Sequence, residues 1–150
     1  MASEAHRFSG LDLDDLENAR RYRAMRVYGQ SKLANILFTY ELARRLHGSG
    51  VTVNCLHPGA VATRLGHNNG AVARLLAGVL RPFFRTPAQG AETSIWLASA
   101  PEVEGVSGEY FVRCRPKRSS DASYDEAAAR RLWQLSLQRT GLEEAAAATA

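Results

Sequence analysis

Residues 28 to 59, "YGQSKLANILFTYELARRLHGSGVTVNCLHPG", constrain the fold more than any other stretch of this chain. Leu33, Ile36, Leu37, Tyr40 and Ala43 or Arg44 recur at spacings of three and four, while Ala34, Phe38 and Leu42 fill a second face. That pattern predicts a helix over 28–47 buried on two sides. "HGSG" (47 to 50) stops it, with Gly48 placed for a C-terminal cap. "VTVNCLHPG" (51 to 59) is short, rich in β-branched residues and closed by Pro-Gly, which reads as a strand entering a turn. Its near-continuous apolar character suits a parallel strand covered on both faces. Helix, glycine stop and buried strand form the rhythm of an α/β unit.

The remaining segments fit the same class. "LDLDDLENARRYRAMR" (11 to 26) reads as a short polar helix or turn region anchored by Leu11, Leu13 and Leu16. Residues 64 to 86 are broken by glycine at first and apolar later. Thr86 and Pro87 begin a new helix as N-cap and first helical residue, running through "AETSIWLAS" and stopping before Pro101. "GEYFVRC" (108 to 114) reads as a second strand. A last helix follows a Ser123-x-x-Glu126 capping box, stops at Gly141, and has Ala128, Leu132 and Leu135 as its inward seam. Residues 1–142 are expected to form one domain unit, and 143–150 a frayed tail with nothing to bury. There is no internal repeat.

Charge and cysteine usage narrow the partners. The net charge is +4 and the pI near 9.4, yet only "ARRYRAMR" (19 to 26) concentrates basic residues. Without zinc-finger spacing or aromatic-interleaved basic strands, no nucleic acid is expected. Cys55 reads as a buried thiol and Cys114 adds little, so a reducing, cytoplasmic setting is expected. "MASEAHRFSG" lacks the apolar core of a secretory signal. "AVARLLAGVLRPFF" (71 to 84) is interrupted by Arg74 and Arg81, so no transmembrane segment is expected. His6, His47 and His67 have no metal-ligand spacing, and no metal is expected. Trp96 and Trp133 read as core residues, and His57, beside Pro58, as structural.

Tyr28 and Lys32 carry the chemistry. Of 19 basic residues 17 are arginine, the lysines being Lys32 and Lys117. Shuffling this composition would give roughly 0.07 Tyr-x-x-x-Lys pairs. On a helix the two residues project side by side. An ammonium beside a phenol favours the phenolate, which makes such a pair a general acid/base. Lysine suits the task because its compact ammonium donates in several directions, unlike the planar guanidinium. Spacing alone leaves a surface tyrosine stacked on a lysine stem as an equal alternative.

At these residues the sequence resembles the short-chain dehydrogenase/reductase family, in its retinol-dehydrogenase-like branch. "YGQSKLANILFTYELARRL" is similar to the branch's Tyr-x-x-Ser-Lys-Leu-Ala-Asn helix, and "VTVNCLHPGAVATRL" to the strand and turn after it. The resemblance implies that Tyr28 and Lys32 are catalytic and also touch the cofactor. It implies that Pro58, Gly59, Val61 and Thr63 hold the nicotinamide end. "SEAH" matches the branch's Ser-x-Ala-His context, which implies a catalytic Ser3 that bonds the substrate carbonyl. Without the family, "HPGAVAT" is a strand-end turn and Ser3 a residue near a disordered terminus. The implied cofactor is NADP or NAD, with NADP favoured by resemblance while no residue here makes the choice. The implied substrate is a small carbonyl or alcohol, with a homodimer left open. Residues 66–86 fall at the family's variable substrate loop, where Leu75, Leu76, Val79, Leu80, Phe83 and Phe84 form either an apolar pocket wall or an ordinary packed helix.

The family's opening glycine-rich turn is not found in these residues: none of the twelve glycines forms G-x-G-x-x-G or T-G-x-x-x-G-x-G. The fold expected is therefore α/β, the C-terminal half of a Rossmann-like doubly wound parallel sheet, truncated before its phosphate-binding half. Two functions follow. One is an NAD(P)-dependent oxidoreductase interconverting an alcohol and a carbonyl on an apolar substrate. The other is a non-catalytic fragment that at most pairs with another chain through the 28–47 helix.

Overall fold

The computed structural model describes residues 1–61 and 84–142. A 3-10 turn, Glu4–Phe8, is followed by turns over 11–20 and then by helix α1, Ala24–Arg45. Strand β1 is Cys55–His57, helix α2 is Pro87–Ser99, strand β2 is Tyr110–Val112, strand β3 is Arg115–Pro116 and helix α3 is Glu126–Thr140. Among the described residues the sheet has three strands in the order β1-β2-β3. β1 and β2 are parallel with Cys55 opposite Tyr110, while β3 returns antiparallel to β2.

Helices cover both faces of this sheet. Cys55 and Tyr110 point toward α1, where they form a core with Ile36, Tyr40 and Ala2. Side chains alternate along a strand, so the next residue, Phe111, faces the other way. There its ring meets Trp96 of α2 at 5.6 Å between centroids. A second core lies behind α1, where Leu33 and Leu37 pack on Ala129 and Leu132 of α3. Leu11, Leu13 and Leu16 close that core, as their spacing predicts, although 11–20 form turns rather than a helix. α1 is thus buried on two sides. Packing rather than capping holds it, since its N-cap, Arg23, makes no side-chain cap bond. A fully buried leucine or isoleucine contributes roughly 1.5–3 kcal/mol, more than a cap's usual ~1 kcal/mol.

Several boundaries differ from the sequence expectation. α1 starts a turn earlier, at Ala24, and ends at Arg45, so Gly48 sits in the turn beyond it rather than at its cap. β1 is shorter than 51–59. Its preceding residues bond across to 106–109 largely through side chains, with Val53 N–H on Ser107 Oγ and Asn54 Nδ2 on the Val106 carbonyl, beside a single backbone bond from Gly108 N–H to the Val53 carbonyl. β2 stops at Val112 because Arg113 and Cys114 have φ of 52° and 57° and turn the chain into β3. Positive φ at both central residues is what a type I′ hairpin turn requires. The α3 cap is Asp125, whose side chain accepts from Ala128 N–H, not Ser123. Ser123 is buried in a 3-10 turn, with its hydroxyl engaged by Ser119 and the Ser120 carbonyl. Ala129 rather than Ala128 faces the core. Phe38 is 42% exposed and stacks on Trp133.

Candidate functional site

Parallel sheets present their ligand sites beyond the carboxyl ends of the strands, and the segments that matter here meet beyond β1. The Ala2 N–H bonds the Leu56 carbonyl at 2.7 Å, which lays residues 1–3 along the β1 edge not occupied by β2. Asn35 of α1 holds the Met1 carbonyl at 2.9 Å. Ser3 then turns the chain into the 3-10 helix, its Oγ accepting from Ala5 N–H at 3.3 Å.

Gly29 lets that turn sit against α1. A Cβ at this position would lie 2.2 Å from Ser9 Oγ and 2.6 Å from the Ala5 carbonyl oxygen. The glycine beside Tyr28 therefore brings the Ser3 turn and the tyrosine's helix together. Tyr28 and Lys32 are half-buried neighbours, with Lys32 Nζ 5.3 Å from the centre of the Tyr28 ring. At that distance the ammonium is within cation–π reach, so the stacked arrangement is one that the pair adopts.

After β1 the chain turns at Pro58 and Gly59, where φ is +91°. His57 Nδ1 accepts from Gly59 N–H at 3.4 Å. Burial holds His57 below the ordinary histidine range. Arg85 clasps the turn from outside. Its amide bonds the Ala60 carbonyl at 2.8 Å, its guanidinium bonds the Pro58 carbonyl at 3.1 Å, and Glu92 pairs with it at 2.6 Å. A Cβ on Gly59 would approach the Arg85 stem to 2.8 Å. Val61 seats against Gly90 of α2, where a Cβ would lie 2.6 Å from a valine methyl.

These segments enclose one cleft of about 470 Å³. Ser3, Tyr28, Lys32, Pro58, Gly59 and Val61 all line it, so the six predicted site residues within the described segments converge. Thr63 lies outside the described residues, as do Leu75, Leu76, Val79, Leu80 and Phe83. Besides Met1 and Ala2, which line the cleft next to Ser3, the sequence reading missed two contributors. His57, read as structural, lines the cleft while also bracing the turn. The other is the α2 face formed by Pro87, Gly90, Ala91 and Ser94. Its signal was present as small residues at helical spacings of three, four and seven. Among the described residues no group of three or more His, Cys, Asp or Glu side chains is arranged to hold a metal ion, and no helix is long and apolar enough to cross a membrane.

Comparison with known proteins agrees with the architecture. Residues 18–72 match the family model described as short chain dehydrogenase. The chain is 48% identical over 145 residues to human retinol dehydrogenase 14, covering 95% of this chain and 43% of that protein. It is 45% identical over 148 residues to mouse retinol dehydrogenase 13, covering 95% and 44%. A crystal structure of an uncharacterized protein from Mycobacterium Paratuberculosis superposes with a TM-score of 0.68 at 31% identity, covering 95% of this chain and 49% of that one. The fold is Rossmann-like α/β. By these matches the chain resembles the short-chain dehydrogenases and is retinol-dehydrogenase-like. It spans under half the length of the curated retinol dehydrogenases it matches.

Proposed function

We propose that this chain supplies the proton-transfer and nicotinamide-facing part of an NAD(P)-dependent oxidoreductase that interconverts an alcohol and a carbonyl on an apolar substrate. The observation that carries the reading is the convergence of Ser3, from the N-terminal turn, with Tyr28 and Lys32 of α1 on the cleft walled by Pro58, Gly59 and Val61. The residues present suit the nicotinamide end of such a cofactor. Val61, seated on Gly90, and Pro58 give an apolar wall, and Lys32 offers a compact donor. When bound, the cofactor would exchange a hydride with the substrate carbon.

In the reduction direction, Tyr28 Oη gives its proton to the oxygen that gains charge as the carbonyl is reduced. Lys32 places a positive charge beside the phenol, its Nζ 5.3 Å from the ring centre. Ser3 Oγ already accepts from the Ala5 amide, which leaves its own O–H to donate to the same substrate oxygen. The cap and the substrate contact use different sides of one hydroxyl, so the two roles are compatible.

The test is carbonyl reduction by this chain joined to an upstream glycine-rich βαβ segment. Tyr28→Phe is expected to lower turnover by about two to four orders of magnitude while cofactor affinity changes little, because the ring still packs. Lys32→Arg is expected to lower both, since the planar fork cannot serve the phenol and the cofactor together. Near wild-type turnover of Tyr28→Phe would remove the basis of this reading.

A further inference from the structure

His6 is fully enclosed, with 1% of its surface exposed, and both of its ring nitrogens are engaged. Nδ1 lies 2.6 Å from the Ser3 carbonyl oxygen. Nε2 lies 3.0 Å from the Ser120 amide nitrogen. A carbonyl only accepts and an amide N–H only donates. The neutral ring with its proton on Nδ1 is therefore the form that satisfies both partners. The Ser3 carbonyl takes a second bond from the His6 backbone N–H at 3.1 Å.

Two further contacts run beside this ring. Arg7 reaches the Arg118 carbonyl at 2.5 Å, and Lys117 pairs with Glu4 at 3.0 Å. These lie on exposed or partly exposed side chains, whereas His6 is the enclosed link between the segment carrying Ser3 and the segment 117–120. Tyr110 of β2 packs edge-on against the ring at 5.4 Å.

We propose that His6 is a positioning residue: as the Nδ1–H form it clasps the Ser3 carbonyl to the Ser120 amide and thereby fixes the direction of the Ser3 hydroxyl at the cleft. The inference rests on the reading of Ser3 as the group that holds the substrate oxygen. Protonation of His6 converts Nε2 into a donor facing another donor. The Ser120 bond is then lost and the Ser3 turn is released. The charged groups facing the ring are Glu4 and Arg7 from its own turn and Lys117 from beyond β3, with His57 near the end of β1. Burial opposes the charged ring more than Glu4 favours it, so the neutral clasp persists below the ordinary histidine range.

The test uses the uniformly 15N-labelled 150-residue chain, with the histidine rings followed by two-bond and the backbone amides by one-bond 1H–15N correlation between about pH 8 and pH 5. At the upper end His6 is expected as the Nδ1–H tautomer. As it titrates, the Ser3 and Ser120 backbone signals are expected to move with it. An Nε2–H tautomer, or Ser3 signals that stay still while His6 titrates, would overturn the proposal. Two variants separate a clasp from a mere filler. His6→Asn keeps a donor to the Ser3 carbonyl but loses the acceptor for the Ser120 amide, so it is expected to hold the Ser3 and Ser120 signals near their acid-form positions and remove their pH response. His6→Gln can offer only its carbonyl at the Nε2 position and is expected to preserve Ser120 while shifting Ser3. Ser3 signals that stay at their neutral-form positions in His6→Asn would mean a filler and sink the idea. If neither variant folds, the wild-type titration decides alone. None of these signals depends on cofactor or turnover, so failure of the oxidoreductase reading would show in the Tyr28→Phe assay and leave them unchanged.

Discussion

Gly29→Ala tests whether the Ser3 turn and the Tyr28 helix are held together by close backbone approach. In an unhindered helix interior this substitution would stabilise by about 0.8–1 kcal/mol. Here the new Cβ meets Ser9 Oγ at 2.2 Å and the Ala5 carbonyl oxygen at 2.6 Å. The hydroxyl can rotate away, but the carbonyl belongs to the backbone of the 3-10 turn. Ordinary contact begins near 3.4 Å, so the turn must retreat by about 0.8 Å. Overpacking of that kind costs about 1–3 kcal/mol. The clash therefore outweighs the helix gain, and a net loss of roughly 1 kcal/mol or somewhat more is expected, a fall in melting temperature of roughly 2–6 °C for a chain of this size. Urea or thermal unfolding by circular dichroism reads it. Gly10→Ala is the control, because nothing lies within 4 Å of a Cβ there, and it should be neutral or slightly stabilising. A Gly29→Ala chain as stable as wild type would refute the close approach and the juxtaposition built on it.

Other outcomes follow from single contacts. Burial of Glu4 opposes its charge, but hydrogen bonds from Lys117 and Arg7 prevail and hold its carboxyl at about 2. Its folded value lies below its unfolded one, so its contribution is present above about pH 4.5 and is lost as pH falls toward about 2. Glu4→Gln should flatten the urea midpoint across that window, and an unchanged acid slope would contradict the pairing. Burial pushes the Cys55 thiol up to about 11, so iodoacetamide near neutral pH should label Cys114 first and reach Cys55 only on unfolding. Equal labelling rates in the folded chain would show that β1 is open. Asp125→Ala removes the α3 cap and should cost about 1 kcal/mol, measured by urea unfolding. Asp125→Ser should recover most of that loss, and no difference between the two variants would point to another cap.

The local signals and the long-range ones divided cleanly. The α1 stripe, the Thr86–Pro87 start of α2 and the Gly141 stop were legible because each is decided within a few residues. α2 carries its capping box between Thr86 and Gln89, and Gly141 adopts φ of 67° at the α3 end. Tyr28 and Lys32 were legible as a pair because helical spacing alone makes them neighbours. What the sequence could not disclose is how distant segments settle their hydrogen bonds. Ser123 looks like a cap in one dimension, yet its hydroxyl is taken by Ser119 and Ser120, and Asp125 caps instead. Strand lengths were overread because Val53 and Asn54 bond to a loop some 50 residues away. His57 and the α2 face entered the cleft only through the parallel pairing of β1 and the seating of Val61 on Gly90. His6 shows the same limit: its sequence neighbours give no hint that its Nε2 will meet an amide 114 residues away. Periodicity and capping are properties of a short stretch, whereas a buried polar atom finds its partner only when the whole chain has closed around it.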